Sequence, residues 1–579
     1  MQDREVLRKA VFASVMSKFT RRKFLTALGA AGAFSTSRNR IQGEVMKDVS
    51  RYGQLKNVNS TDMADAIRLG CLTMQRVFNR DDNDMIFMAS RARPDPELYM
   101  SANYDGHLPG RHLNALLNAE AAAGIKLDEE AVQKHRKAAF HSYTGPLRLP
   151  KSRPHVGADF VSFAGHDLRE WFHALYALVK YRNDEEARRI AEESIATVFK
   201  LWNPDTGWDL QVMEGEMGIN IMDEGENFTR TLPRAIGSLV KYHQATGYGP
   251  ALELANLFKD KLLADHYLPD GAYSIERLGT HGHSIACDLS SLAQLADFTE
   301  DAVLMERVRA FYDKGMWDLR DEIGWVIEKT GQSSIVRPDY GEGNSTGDLI
   351  EAALILGKRC NTKYFEDAER MLRCHLLPSQ LRDVGFMEAS PNPDNADGRR
   401  NVAERIAGGW GFPAPYGHEP LELEGFDAVL FHMDIVGGVV GSLCAAFLSA
   451  TRYDESGHHV DLLFDHETDA ITVESNYTHE ALTVTLKKPG PLRIRIPSWT
   501  AREGIVVEGV GQAPRYEDSY LVVPDHPVDV PVLLRYALVD REIQMQHLTR
   551  NIRVRLRGDS VVAMDNFGAD LTYFPALNG

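Results

Sequence analysis

From about residue 55 to 452 the apolar residues recur with a helical period. Leu168, Trp171, Phe172, Leu175, Tyr176 and Val179 fall at i, i+3, i+4, i+7, i+8 and i+11, on one face of a helix. Leu349, Ile350, Ala353, Leu354 and Gly357 repeat that spacing, as do Ile435, Val436, Val439, Val440, Leu443 and Phe447. Each such helix runs into a short polar turn, and a more charged helix follows. The turns read at Asn79–Asp82, Asn183–Asp184, Thr246–Tyr248, Thr299–Asp301, Asn361–Lys363 and Tyr453–Glu455. Between Asn183 and Asn361 they recur about every 52 to 64 residues, the mark of a repeated helix hairpin. Six hairpins close into a ring with the apolar helices inside, an (α/α)6 toroid over residues 50–460. An open α-solenoid is the rival architecture. It does not need the Pro- and Gly-rich insertions at 141–165 and 380–427, which have the character of binding loops or lids.

From about residue 468 the period drops to two. Ala470–Val473, Leu482–Leu486, Leu492–Ile496, Ile505–Val507, Leu521–Val523, Val532–Tyr536 and Ile552–Leu556 predict seven short strands of a β-sandwich over 465–579. Arg493 and Arg495 alternate with Leu492, Ile494 and Ile496, which predicts one wet face. The expected fold is therefore mainly α with a C-terminal β domain.

The N-terminus has a third pattern. Arg21–Arg22 precede a short apolar run to Phe34 that includes Ala31-Gly32-Ala33. A basic start, a brief apolar stretch and small residues predict an export signal within residues 1–40, and the paired arginines resemble the signal of the twin-arginine translocase. Met16 is an alternative start. The run is too short to span a bilayer, and no other segment reaches 18 apolar residues, so no stable membrane insertion is expected after processing. The expected location is periplasmic or secreted.

Composition narrows the partners. The formal charge is −17 without a long basic run, which excludes ordinary nucleic-acid binding. Five scattered cysteines form no CxxC pair and support neither a thiolate zinc site nor a disulfide scaffold. No cofactor is expected.

Candidate chemistry gathers where the inner helices begin, because helix N-termini converge at one end of such a ring and favour negative charge. These starts carry His166 and Asp167, Arg230 and Arg234, His281 and His283, Ser345, Thr346 and Asp348, and His432 and Asp434. The densest stretch, 339–351, holds Asp339, Glu342, Asp348 and Glu351 among glycines that let backbone approach a ligand. Its spacing does not match an EF-hand loop. Two carboxyl groups flanking a sugar are what glycosidic cleavage requires. Asp348 and Glu342 are the first candidates for acid and base or nucleophile, with Asp434 next. His166, Asp167, Arg230, His281, His283, Tyr340 and His432 are candidates for orienting sugar hydroxyls or a carboxylate. Trp202, Trp208, Trp325, Trp410 and Tyr416 are candidate sugar-stacking aromatics, of which Trp410 and Tyr416 lie in the long insertion. Trp171, at core spacing, is assigned to packing.

The stretches His166-Asp167-Leu168-Arg169-Glu170-Trp171, His281-Gly282-His283-Ser284, Ser345-Thr346-Gly347-Asp348 and Leu492-Arg493-Ile494-Arg495-Ile496-Pro497-Ser498-Trp499 resemble the β-L-arabinofuranosidase-like enzymes of glycoside hydrolase family 127. The resemblance spans roughly residues 60–560. It implies an (α/α)6 domain with β-sandwich modules and a carbohydrate substrate. It also implies a cysteine nucleophile and a zinc ion held by three cysteines and a glutamate, and here the chain departs. The family's Glu-Thr-Cys segment falls at Ser345-Thr346-Gly347, and its paired cysteines fall near Met433-Asp434-Ile435. The expectation is a metal-independent glycoside hydrolase acting on plant or algal polysaccharide fragments. The alternatives are a lyase or uronate-acting enzyme, with Tyr340 or a histidine as base and Arg230 or Arg234 on the carboxylate, and a noncatalytic sugar-binding protein.

Overall fold

The computed structural model describes residues 53–330, 340–419, 421–423, 426–546 and 551–577. Residues 54–579 form one compact unit. The proposed export signal and Asp339 lie outside the described residues.

Twelve helices build the ring: α1 (Met63–Met74), α2 (Leu108–Ala123), α3 (Glu129–Ser142), α4 (Asp167–Arg182), α5 (Glu185–Leu201), α6 (Ile236–Thr246), α7 (Gly249–Asp265), α8 (Gly282–Thr299), α9 (Ala302–Asp313), α10 (Gly343–Arg359), α11 (Lys363–Met371) and α12 (Met433–Ser449). The even-numbered helices from α2 to α10, with α12, pack side by side in the order α2-α4-α6-α8-α10-α12 and back to α2. This inner ring is buried almost throughout, as its apolar periodicity requires. Helices α3, α5, α7, α9 and α11 pack outside, each against the inner helix before it, and α1 covers α12. The toroid is thus six hairpins, as expected, but the first helix of the chain is the outer partner of the last.

That closure corrects two of the six turns. Asn79–Asp82 belongs to a two-residue strand and a 3-10 turn after α1, and Tyr453–Glu455 is the tip of a β-hairpin. The fifth hairpin turn is Gly124–Asp128, between α2 and α3, where Gly124 caps α2 in the left-handed region with φ 64°, and the sixth pair, α12 with α1, has no turn of its own. The other turns stand where the polar spacing put them, with Asn183 and Glu300 as left-handed caps and Asp184 and Asp301 capping the next helix through their side chains.

The 380–427 insertion is not structureless. Together with residues that follow it, it forms β3 (Leu421–Leu423) and β4 (Phe426–His432), which continue antiparallel to β1 (Ala89–Arg93) and β2 (Glu97–Tyr99) in the order β3-β4-β1-β2. This sheet leads directly into α12 and fixes where Asp434 starts.

The C-terminal region stacks two five-stranded sheets. One runs β5-β6-β10-β13-β12, from β5 (Thr451–Asp454), β6 (Gly457–Val460), β10 (Leu492–Arg495), β12 (Arg515–Glu517) and β13 (Tyr520–Val523). The other runs β7-β8-β9-β14-β11, from β7 (His466–Glu467), β8 (Ile471–Glu474), β9 (Leu482–Leu486), β11 (Val506–Glu508) and β14 (Pro531–Arg535). Their inner faces share one apolar core that includes Val460, Val484, Ile494, Leu521 and Leu534. All seven expected strands form. The last of them, however, lies in a separate antiparallel sheet, β15 (Asp540–Gln546), β16 (Asn551–Arg557) and β17 (Ser560–Met564). Arg495 is not on a wet face: it is 1% exposed and reaches into the helical domain. Among the described residues no helix is long and apolar enough to cross a membrane.

Candidate active site

Five of the six inner helices begin with a titratable residue at the N-cap: His107 for α2, His166 for α4, His281 for α8, Glu342 for α10 and His432 for α12. The ring geometry brings these positions to one mouth. Close approach of α12 to its neighbours depends on glycine. A Cβ on Gly438 would stand 2.1 Å from Asn344, and one on Gly437 would stand 2.9 Å from Arg111.

Asp434 is the most heavily supported carboxylate in the mouth. His107 approaches it at 3.6 Å and holds Asp167 at 3.0 Å through its other nitrogen. Arg111 lies 3.9 Å from the Asp434 carboxylate, donates to its carbonyl at 3.3 Å, and pairs with Glu170 at 2.9 Å. The Asn344 amide places its oxygen on Arg111 and donates to the Ile435 carbonyl at 3.1 Å. Burial works against charge on Asp434, but His107 and Arg111 outweigh it and hold the carboxyl well below the usual carboxylate range. Conversely, burial opposes charge on His107, and its hydrogen bonds to Asp167 and Asp434 raise it above the usual imidazole value.

Two other carboxyls face the opposite way in charge. Glu328, on the loop between α9 and α10, is held by its backbone: its N–H donates to the Tyr340 carbonyl and its own carbonyl accepts from the Gly282 N–H, both at 2.8 Å. His281 accepts from the Ser284 N–H through Nδ1, so its Nε2 carries the proton and donates to Glu328 at 2.9 Å. Glu342 meets His283 at 3.1 Å. Burial pushes both Glu328 and Glu342 up to about 8, with the neighbouring Glu328 and Asp434 carboxyls adding to the effect of burial at Glu342. Burial also lowers His281 to about 3 and lowers His283 and His432 below the usual imidazole value.

Asp348 is a correction. It is no helix cap but lies inside α10, 2% exposed, with Arg169 at 2.6 Å and His283 at 3.3 Å. Burial pushes it up to about 6, with Arg169 pulling the other way. It sits behind His283 and faces no open space. The glycines around it serve packing rather than a ligand, since a Cβ on Gly341 would strike the Val326 carbonyl at 2.3 Å and one on Gly347 would strike Ser442 at 2.7 Å.

Four of the five candidate aromatics are buried in packing; only Trp208 is partly exposed. Trp410 and Trp325 are wholly buried and spend their indole N–H groups on the carbonyls of Leu376 and Pro413 at 2.9 Å. Tyr416 is 1% exposed, and Trp202 stacks on Phe228. The ring that does line the mouth is Tyr340, stacked on Phe412 at 4.5 Å, with His432 edge-on to the same Phe412. Tyr104 lies near the Asp434, Glu342 and Asp167 charges. Arg230 is turned to the rim, where it pairs with Glu226 at 2.6 Å and is about two-fifths exposed.

His166 and Asp167 are brought in as expected. His166 is the more open of the two, 3.2 Å from Asp167 and 3.9 Å from Asp223, and burial lowers it to about 3. Sequence reasoning missed His107, Arg111, Asp223 and Glu328. His107 repeats the histidine-before-helix signal, but assigning the first turn to Asn79 hid α2. Glu328 lies in a loop with no periodicity to betray it.

The family's thiolate zinc set does not fit this chain. Cys71, Cys287, Cys374 and Cys444 are buried within helical elements, burial pushes Cys71 and Cys287 up to about 12, and Cys360 is exposed. Among the described residues, the cation donors that do lie together are His281 with Glu328 and Glu342, and His107 with His166 and Asp167, each set within 4.8 Å.

Residues 116–372 match the family model for the β-L-arabinofuranosidase catalytic domain of glycoside hydrolase family 127. The ring is a glycoside hydrolase catalytic domain. A solved β-arabinofuranosidase of family 127 is 13% identical, with a TM-score of 0.52 over 90% of this chain and 82% of its own. A structure described as a glycoside hydrolase gives 0.51 at 13% identity over 78% and 76%. At such identities the likeness is one of fold. The family 127 β-L-arabinofuranosidase of Geobacillus stearothermophilus T6 is 14% identical over 90% and 82%, with a TM-score of 0.49. No curated protein matches this hydrolase.

Proposed function

We propose that this glycoside hydrolase is exported, works without a metal, and cleaves plant or algal polysaccharide fragments with Asp434 set against a protonated Glu328–Glu342 pair. The observation that carries the reading is the split charge state of three carboxyls in one electrostatic cluster. Asp434 is held ionised by His107 and Arg111, while burial keeps Glu328 and Glu342 protonated at neutral pH. Divergent carboxyl environments are how one site supplies both an acid and a base.

The Glu328–Glu342 pair gives a proton to the leaving glycosidic oxygen as the bond to the anomeric carbon breaks. Asp434 either attacks that carbon or takes the proton of an attacking water. Neutral His281 and His283 position the two acids, and neutral His166 and His432 face sugar hydroxyls. Asp348 with Arg169 positions His283. This replaces the family's thiolate chemistry with carboxylate chemistry at the start of α12.

The test is turnover of a panel of aryl glycosides headed by β-L-arabinofuranosides, the substrate in the matched family's name, with the product anomer read by NMR. Glu328→Gln and Glu342→Gln should suppress cleavage of poor leaving groups more than good ones, and Asp434→Asn should suppress both. Retained activity in Asp434→Asn would discard the assignment. Turnover that survives a chelator, from protein with no stoichiometric metal, supports metal independence; a bound metal whose removal stops turnover overturns it. Export is tested by fractionation: Arg21→Lys with Arg22→Lys should leave the protein in the cytoplasm.

A further inference from the structure

Three arginines stand around the site, and one lacks a counterpart. Arg111 pairs with Glu170, and Arg169 pairs with Asp348. Arg234, in the short turn Leu232–Ala235 that leads into α6, is 5% exposed. Its Nε is buried without a partner, and among the described residues its guanidinium has no carboxylate in salt-bridge range; the side chain it meets is the Cys287 thiol, which burial pushes up to about 12 and so leaves neutral. A guanidinium cannot shed its proton, so burial here leaves a fixed positive charge. Buried charges are ordinarily paired, because an unpaired one forfeits its hydration for nothing.

Nothing nearby fills the role. Arg234 lies in the electrostatic field of His166, His281, His283 and Glu328, which places it on the wall between the α4 and α8 starts. The histidines carry no negative charge, and the two carboxyls whose charge also reaches Arg234, Glu170 and Asp348, are paired with Arg111 at 2.9 Å and Arg169 at 2.6 Å. Asp288 is fully buried with both carboxyl oxygens unpartnered, and burial keeps it protonated. Arg230 is already engaged with Glu226 at the rim. The missing anion must therefore arrive with the ligand.

We infer that Arg234 receives the carboxylate of a uronic-acid residue in the substrate, an inference that rests on the glycosidase reading of this site. The planar fork of an arginine matches a carboxylate through two parallel N–H···O bonds. A neutral sugar would offer only hydroxyls and leave the charge uncompensated. The protonated Glu328–Glu342 pair suits the same ligand, since an anionic ring meets less like charge there than two ionised glutamates would present.

The test separates binding from turnover. Calorimetry compares D-glucuronate and D-galacturonate with their methyl esters, with glucose and galactose, and with glucose 6-sulfate, on wild type, Arg234→Gln and Arg234→Lys. In parallel, 4-nitrophenyl uronides and neutral glycosides are assayed for cleavage. A uronate should bind at least about tenfold tighter than its neutral congener, with the preference lost in Arg234→Gln and partly restored in Arg234→Lys. The wild-type comparison of acid with ester holds even if a variant fails to fold. Equal binding of acid and ester, absence of uronate binding, a preference for the sulfate, or a preference that survives in folded Arg234→Gln overturns the inference. Cleavage of neutral glycosides without uronate preference sinks the inference and leaves the glycosidase reading standing. Carboxylate-dependent binding with no cleavage of any substrate does the reverse.

Discussion

Two buried clusters of charge divide the labour of this molecule. Between the ring and the sandwich, Glu369 on α11 accepts from Arg373 at 2.8 Å, from the Leu463 N–H at 2.9 Å, and from Arg495. Arg373 also donates to the Leu463 carbonyl at 2.6 Å and lies 3.8 Å over the rings of Phe464 and Tyr477. Arg495 donates to the Asp461 carbonyl at 2.6 Å. All three charged side chains are at most 1% exposed. Burial opposes charge on Glu369, but the two arginines hold its carboxyl below the usual range. In the ring mouth, by contrast, an arginine lacks an anion, two glutamates are protonated, and one oxygen of Glu328 has no hydrogen-bond partner. The mouth is the wetter of the two, with the Glu342 side chain 13% and that of His166 30% exposed. What differs is charge balance: Arg495 Nη1 is also unpartnered, but both arginines of the domain cluster face the Glu369 carboxylate, whereas Arg234 has no carboxylate in range, and a site left uncompensated is built for something that binds.

The sharpest break in that comparison is Asp434→Asn. It should cut kcat by about 10⁴-fold while the melting temperature stays close to wild type, because a neutral amide relieves burial even as it loses His107. Next come Glu328→Gln and Glu342→Gln, with losses on the order of 10²–10³-fold in kcat for substrates with poor leaving groups. Wild-type kcat/KM should fall as pH rises through about 8, where these acids lose their protons, and that limb should move or vanish in the variants.

Arg495→Met tests the other cluster. Removing one partner of a buried network should cost about 3–5 kcal/mol of stability, with kcat per folded molecule unchanged. A large loss of kcat at full stability would erase the distinction drawn between the clusters. A smaller effect follows from linkage. The folded values of Glu328 and Glu342 are raised above the ordinary glutamate value, so their stabilising share is complete below that value and is lost as pH rises through about 8. The melting temperature of Glu328→Gln relative to wild type should therefore climb between pH 5 and 9. Smallest of all, Trp410→Phe should cost about 1 kcal/mol for the lost bond to the Leu376 carbonyl and leave KM unchanged. A raised KM would return Trp410 to the sugar site.

What the amino-acid order determined alone was local and periodic. Apolar spacing marked α4, α10 and α12, polar turns marked four of the five hairpin bends, and alternation marked seven strands. It also put His166, His281, His432 and Asp434 at helix starts, where they stand, but started α10 near Ser345 rather than at Glu342. Tertiary closure decided the rest. Only the ring shows that α1 packs on α12, which makes α2 an inner helix and brings His107 and Arg111 to Asp434. Only packing tells a loop tryptophan in the core from one in a cleft, because both have the same local sequence. Charge state lies furthest from sequence. Asp348, Glu342 and Asp434 are all carboxyls near helix N-termini, and what separates them is which cations from distant helices reach each one and how much water burial takes away.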